Sequence, residues 1–243
     1  MVKPSEVLFP SMTKEAENVF IKIHDRVQWK KWTDSSGKDA PPPDFFSDEF
    51  LLMMDVMRVD DHAFVNEKGK VINPTNAKES RLRKELKQSG IYKNICDKNI
   101  FINAITDLPT ERDHNYDFYL ENFRRVVTEH IRKIKLYKTN HPEHKVIFFV
   151  MDESSAYLEV EKKMNVAVGD RQEGRPHYYF MDKAFLEVFQ NTFIDYLIWY
   201  CPYKIHITET GIIKFPKVTV YDIGQKGLET INYDSSRMIS TEV

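Results

Sequence analysis

The segment Phe50–Val59 constrains the fold most. It reads FLLMMDVMRV, apolar at every position except Asp55 and Arg58. A strand with apolar residues on both faces must be covered on both faces, as in a sheet flanked by helices. Asp55 places a carboxylate in the middle of that strand. Burying such a charge is costly unless it is paired, hydrogen-bonded or bound to a metal. Side chains alternate along a strand, so Arg58 points to the face opposite Asp55 and is a poor partner for it. The partner must come from another element.

The surrounding pattern supplies those elements. Residues 13–32 predict a helix, with Ser11 and Thr13 as caps, Glu15 and Glu17 in its first turn, and Val19, Phe20, Ile23 and Val27 at helical spacing. Ser35, Ser36, Gly37 and the run Pro41-Pro42-Pro43 then make a loop. A short hairpin is expected from 63–65 to 71–72, and a charged helix over 77–89. Residues 99–105 fit a short strand or a buried connector. Tyr116–Thr139 predicts a long helix with Leu120, Phe123, Val127, Ile131 and Ile134 on its apolar stripe. Val146–Met151 reads as a second buried strand, 168–177 as a polar loop, and 182–200 as an aromatic helix ended by Pro202. A hairpin over 204–208 and 212–220 follows, with Pro216 marking its second strand as an edge. The alternation predicts an α/β fold with a mixed central sheet flanked by helices. It assigns 1–223 to one α/β domain and 224–243 to a loose C-terminal tail.

Composition narrows the classes. The chain has 243 residues, 42% of them hydrophobic, which is too apolar for a disordered chain. No run approaches a membrane span, so no membrane association is expected. Two cysteines, Cys96 and Cys201, exclude a disulfide scaffold and suggest a reducing, cytoplasmic setting with buried free thiols. A formal charge of −2 argues against binding by overall charge, although a local basic stripe stays open. VIFFVMDE at 146–153 resembles the acidic strand of P-loop ATPases, but the chain holds no GxxxxGK[ST]. Asp152 and Glu153 then read as a strand end, solvated or joined to a site. No GxSxG elbow is present either.

The chemistry centres on PDFFSDEFLLMMDVM, where Pro43-Asp44 precedes the strand that carries Asp55. This string resembles the PD-(D/E)XK nuclease superfamily. The resemblance implies a restriction-endonuclease-like core and a Mg²⁺ held by Asp44 and Asp55, with Glu17 on the preceding helix assisting. It implies hydrolysis of phosphodiesters in DNA or RNA. Hard cations take oxygen ligands, which two carboxylates supply. The position matching the family lysine is Met57, and a thioether is neither a proton donor nor a hard-metal ligand. Lys78, Arg81 and Lys84 on the next helix are the basic groups that could replace it. The alternative is a non-catalytic scaffold or protein-interaction domain of the same fold. In that case Asp44 ends the proline loop, and Asp55 pairs with a helix Lys or Arg.

Other features divide the same way. Residues 124–145 hold seven Lys and Arg against Glu129 and Glu143. Arg124, Arg125, Arg132, Lys133 and Lys135 are the expected phosphate contacts, and a solvated helix face is the plainer explanation. His141 and His144 have a spacing zinc could use but lack a third ligand, so helix-end histidines explain them as well. The aromatics from Tyr178 to Tyr203 suit a core, a dimer face or a base-stacking surface.

Overall fold

A computed structural model of the chain describes residues 3–35, 43–89, 114–161, 174–190, 192–208, 211–225 and 228–241. In chain order its elements are β1 (Val7–Leu8), α1 (Lys14–His24), α2 (Arg26–Trp29), β2 (Thr33–Asp34), β3 (Phe45–Ser47), β4 (Leu52–Val59), β5 (Phe64–Val65), β6 (Val71–Ile72), α3 (Pro74–Gln88), α4 (Tyr116–Asn140), β7 (Lys145–Asp152), β8 (Tyr157–Glu159), β9 (Arg175–Pro176), α5 (Lys183–Leu186), β10 (Tyr196–Tyr200), β11 (Ile205–Thr208), β12 (Gly211–Lys214), β13 (Val218–Asp222) and β14 (Met238–Ser240). The fold is α/β. Seven strands form a mixed central sheet in the order β1-β13-β10-β7-β4-β3-β2.

At its centre β4, β7 and β10 run parallel. β4 and β7 pair along their whole length, from Leu52↔Lys145 to Val59↔Asp152. β3 and β13 flank this core antiparallel. Alternation along β4 divides its side chains as the sequence requires. Met53 and Met57 join Phe148, Val150, Leu197 and Trp199 under Tyr119, Phe123 and Val127 of α4. Leu52 and Met54 join Ile147, Ile198 and Val220 under Ala16 and Val19 of α1. α1 starts where expected, with the Thr13 hydroxyl accepting from the Ala16 N–H at 3.2 Å. Asp25 interrupts the expected 13–32 helix by capping α2 with its carboxylate. No described helix is long and apolar enough to cross a membrane.

Three expectations are corrected. The aromatic helix over 182–200 is a single helical turn, α5, followed by strand β10. The run YLIWY is buried in mid-sheet, where its β-forming side chains pack on both faces, and a short apolar run carries no period that separates the two states. Strand β13 is not an edge, because Pro216 lies between β12 and β13 and leaves β13 free to pair with β10 and β1. The supposed loose tail supplies β14, antiparallel to β8, with Met238 and Ser240 buried. Residues 99–105 and most of 168–177 lie outside the described residues.

Packing predicts two stability effects. Phe123 is fully buried against Phe185 and Trp199, so Phe123→Ala should cost about 3–5 kcal/mol. Met238 of β14 is buried in the core, so Met238→Ala should cost about 2–5 kcal/mol. Urea denaturation midpoints measure both, and an unchanged midpoint for Met238→Ala would leave 224–243 a tail.

Candidate functional site

The buried carboxylate of β4 finds its partners on α4. Asp55 Oδ2 accepts from the His130 ring at Nδ1, 2.6 Å away, and from the Tyr137 hydroxyl at 3.0 Å. Seven residues are two helical turns, so His130 and Tyr137 lie on one face of α4. The partner is therefore neither the Lys nor the Arg that a structural ion pair would use. β3 pairs with β4 through Phe45↔Met54, which sets Asp44 beside Asp55. Asp44 Oδ2 accepts from the Val56 N–H at 2.8 Å. Burial pushes the Asp44 carboxyl up; the Val56 bond opposes this, and the adjoining Asp55 carboxylate adds to it. Burial and then the Asp55 charge push the Tyr137 phenol up as well.

Two of the three expected acids thus meet, and the third does not. Glu17 is exposed on α1, and α1 covers the sheet face opposite Asp55. Met57 is buried in the core on the Asp55 face. Arg81 pairs with Glu85 on the exposed side of α3, and Lys84 is exposed. Among the described residues, the groups that donate to Asp55 are His130 and Tyr137. Sequence analysis missed both. The available signal was a His and a Tyr seven residues apart on the apolar stripe of α4.

A denser set of polar groups lies at the carboxyl ends of β4, β7 and β10, where α/β sheets gather their sites. Asp152 ends β7 with no exposure, which corrects the solvated strand end. Its Oδ2 accepts from Tyr119 at 2.5 Å and Trp199 at 2.9 Å; its Oδ1 accepts from the Ser154 N–H and hydroxyl. The Lys204 ammonium is buried 3.7 Å from Asp152, bonded to the Ser154 hydroxyl and the Ser155 carbonyl. Burial and the Asp152 charge push the Cys201 thiol well up, so it is an inert buried thiol as expected. Glu153 pairs with Arg58 across the sheet.

Two more acids complete this edge. Asp61 is fully buried, and its Oδ2 accepts from the Ser155 N–H and hydroxyl, Tyr157 and the His114 ring. Burial alone would push this carboxyl up, but the His114 hydrogen bond and the His114 and His62 charges outweigh it and hold Asp61 well below the usual range. Asp182 accepts from Tyr116 at 2.5 Å and from the buried His177 at 2.7 Å. Burial pushes His177 down, and Asp182 only partly opposes that.

The basic residues of α4 are not equivalent. Arg124 bonds the Ala184 carbonyl, and Arg125 bonds Asn122 and Glu129. Arg132, Lys133 and Lys135 are exposed. His141 and His144 do gain a third group. Asp48 Oδ1 lies 3.1 Å from His144 Nε2, and ligating atoms of all three lie within 4.8 Å of one another.

Neither protein-family models, curated proteins nor solved structures gave a match to the chain.

The buried histidine sets a pH dependence. His177 has its folded pKa depressed, so the unfolded chain binds the extra proton first. Its contribution is present above about pH 6.5 and is lost as pH falls below that value. Unfolding free energies measured from pH 7.5 down to pH 5 should decline less steeply in His177→Gln than in the wild-type chain. Equal slopes would show that His177 is not buried in its neutral form.

Proposed function

We propose that the chain is a nuclease-like protein on a restriction-endonuclease-like core, acting on phosphodiesters of DNA or RNA with Mg²⁺ at Asp44 and Asp55. The observation that supports this is the meeting of the two carboxyl groups from β4 and the start of β3, with the Asp44 carboxyl pushed up beside Asp55. Two anions held together are relieved by a cation, and the donor set suits a hard one. Protein donors engage Oδ2 of each acid, and the two carboxyl groups lie against each other. The residues therefore fit Mg²⁺, which when bound would polarise a phosphoryl oxygen and acidify water.

The chain's own groups then have separate tasks. Asp44 and Asp55 bind and orient. His130, held through Nδ1 on Asp55, keeps its far nitrogen Nε2 to take up a proton, a task Met57 cannot perform. Tyr137 anchors the Asp55 carboxylate. Arg132, Lys133 and Lys135 add phosphate contacts along α4. A second interpretation, a scaffold without catalysis, is favoured by one observation: Met57 fills the core where the family has its lysine.

Activity assays on plasmid and single-stranded DNA and RNA with Mg²⁺ or Mn²⁺ separate the two. Asp44→Ala and Asp55→Ala should each lower cleavage at least 100-fold, and Glu17→Ala should leave it unchanged. Cleavage that survives Asp55→Ala, or no cleavage by the wild-type chain, removes the catalytic proposal. For binding, replacing Arg132, Lys133 and Lys135 together by Ala should reduce the slope of log affinity against log salt by about 2–3. An unaltered slope would show an ordinary solvated face.

A further inference from the structure

The Asp61 carboxylate is used on one side only. Its Oδ2 takes four donors, at 2.7 Å from the Ser155 hydroxyl, 2.8 Å from Tyr157, 3.0 Å from the Ser155 N–H and 3.2 Å from His114 Nδ1. Its Oδ1 is buried and takes none. An ionised oxygen without a partner in the interior is costly, and native structures rarely leave one so. On that side stands His62, whose Nε2 lies 3.8 Å from Oδ1. That span is too long for a hydrogen bond. Tetrahedral ligands at about 2.1 Å stand about 3.4 Å apart, so a few tenths of an ångström of side-chain adjustment brings this pair onto one ion.

The chain holds the three groups in place from three directions. Asp60 accepts from the His62 and Ala63 N–H groups and from the Asn73 amide, which fixes the turn that presents His62. His114 reaches Asp61 from the start of α4 with a φ of 53°, a left-handed backbone that a non-glycine residue adopts at a cost of about 1–2 kcal/mol. The rings of His62 and His114 face each other edge to face, centroids 4.7 Å apart. Ligating atoms of all three residues lie within 4.8 Å of one another. Behind them, Ser155 and Tyr157 orient the carboxylate, and Ser240 of β14 bonds the Ser155 hydroxyl at 2.8 Å. Outer hydrogen bonds of this kind set the direction of a ligating carboxylate. The two imidazoles are partly exposed, 17% and 18%, which gives an ion a way in.

We infer that Asp61, His62 and His114 bind a first-row divalent cation of the zinc class. Two imidazoles and one carboxylate suit Zn²⁺ rather than Mg²⁺, and three protein ligands leave a position open for water or a substrate oxygen. The site is separate from the Asp44–Asp55 pair: the four steps from Asp55 to Val59 along β4 alone span roughly 13 Å, and Asp61 lies two residues past that strand end.

The test is calorimetric titration of the chelator-stripped full chain with Zn²⁺, with Co²⁺ absorption as a second readout. The wild-type chain should take up Zn²⁺, and His62→Gln and His114→Gln should each weaken one equivalent at least 10-fold while circular dichroism stays unchanged. His141→Gln with His144→Gln should leave that equivalent in place, which separates it from the Asp48 cluster. Asp61→Asn should abolish it. If that variant fails to fold, the two histidine variants, whose side chains reach solvent, still decide the question. No Zn²⁺ uptake, or uptake lost only with His141 and His144, overturns the inference.

Discussion

Asp152 is a carboxyl group with no exposure at the end of the central strand, and much of the architecture answers its need for donors. An unpaired charge there would cost several kcal/mol. Tyr119 comes from α4, Trp199 from β10, Ser154 from the turn after β7, and Lys204 from the segment after β10. Each donor ties a different element to the carboxyl edge of the sheet. The same tyrosine and tryptophan pack the core, with Trp199 stacked on Phe123 at 4.7 Å. Hydrogen bonding and apolar burial therefore fix the same positions, which gives this edge one arrangement rather than several.

The acids of the sheet then divide by what their surroundings provide. Asp152 and Asp182 have donors on each oxygen or a matched His–Tyr pair, and their role is architectural. Asp44 and Asp55 lie against each other, two acids in one place with donors on Oδ2 of each. Asp61 is crowded on one oxygen and bare on the other. Uneven satisfaction is what separates a group that holds the fold from one that is ready to take a ligand. By that criterion the two proposed sites stand apart from the other acids, one all-oxygen in mid-β4 and one with two nitrogens just past the end of that strand.

The helix α4 ties several of these acids to the sheet. Its apolar stripe covers the sheet, its first residue Tyr116 bonds Asp182, and His130 and Tyr137 hold Asp55 two turns apart. Its outer face carries the exposed Arg132, Lys133 and Lys135. The segment 224–243, expected as a loose tail, also reaches this region through Ser240.

The sequence by itself determined the α/β class, the two-sided burial of β4 and β7, the span of α4 and the need for a partner at Asp55. Those follow from period, capping and the cost of burying charge, all of which act over a few residues. It also brought forward Asp44, and the structure does place it beside Asp55. It did not determine that YLIWY is a strand, that Pro216 falls between strands, or that His130, Tyr137, His62 and His114 face carboxylates. Glu17 looked equivalent to the other acids until the sheet put it on the far face. The contacts of His114, His130 and Tyr137 join residues 53, 75 and 82 apart in sequence. Only tertiary packing decides them, because a side chain's chemical role depends on which distant group shares its buried space.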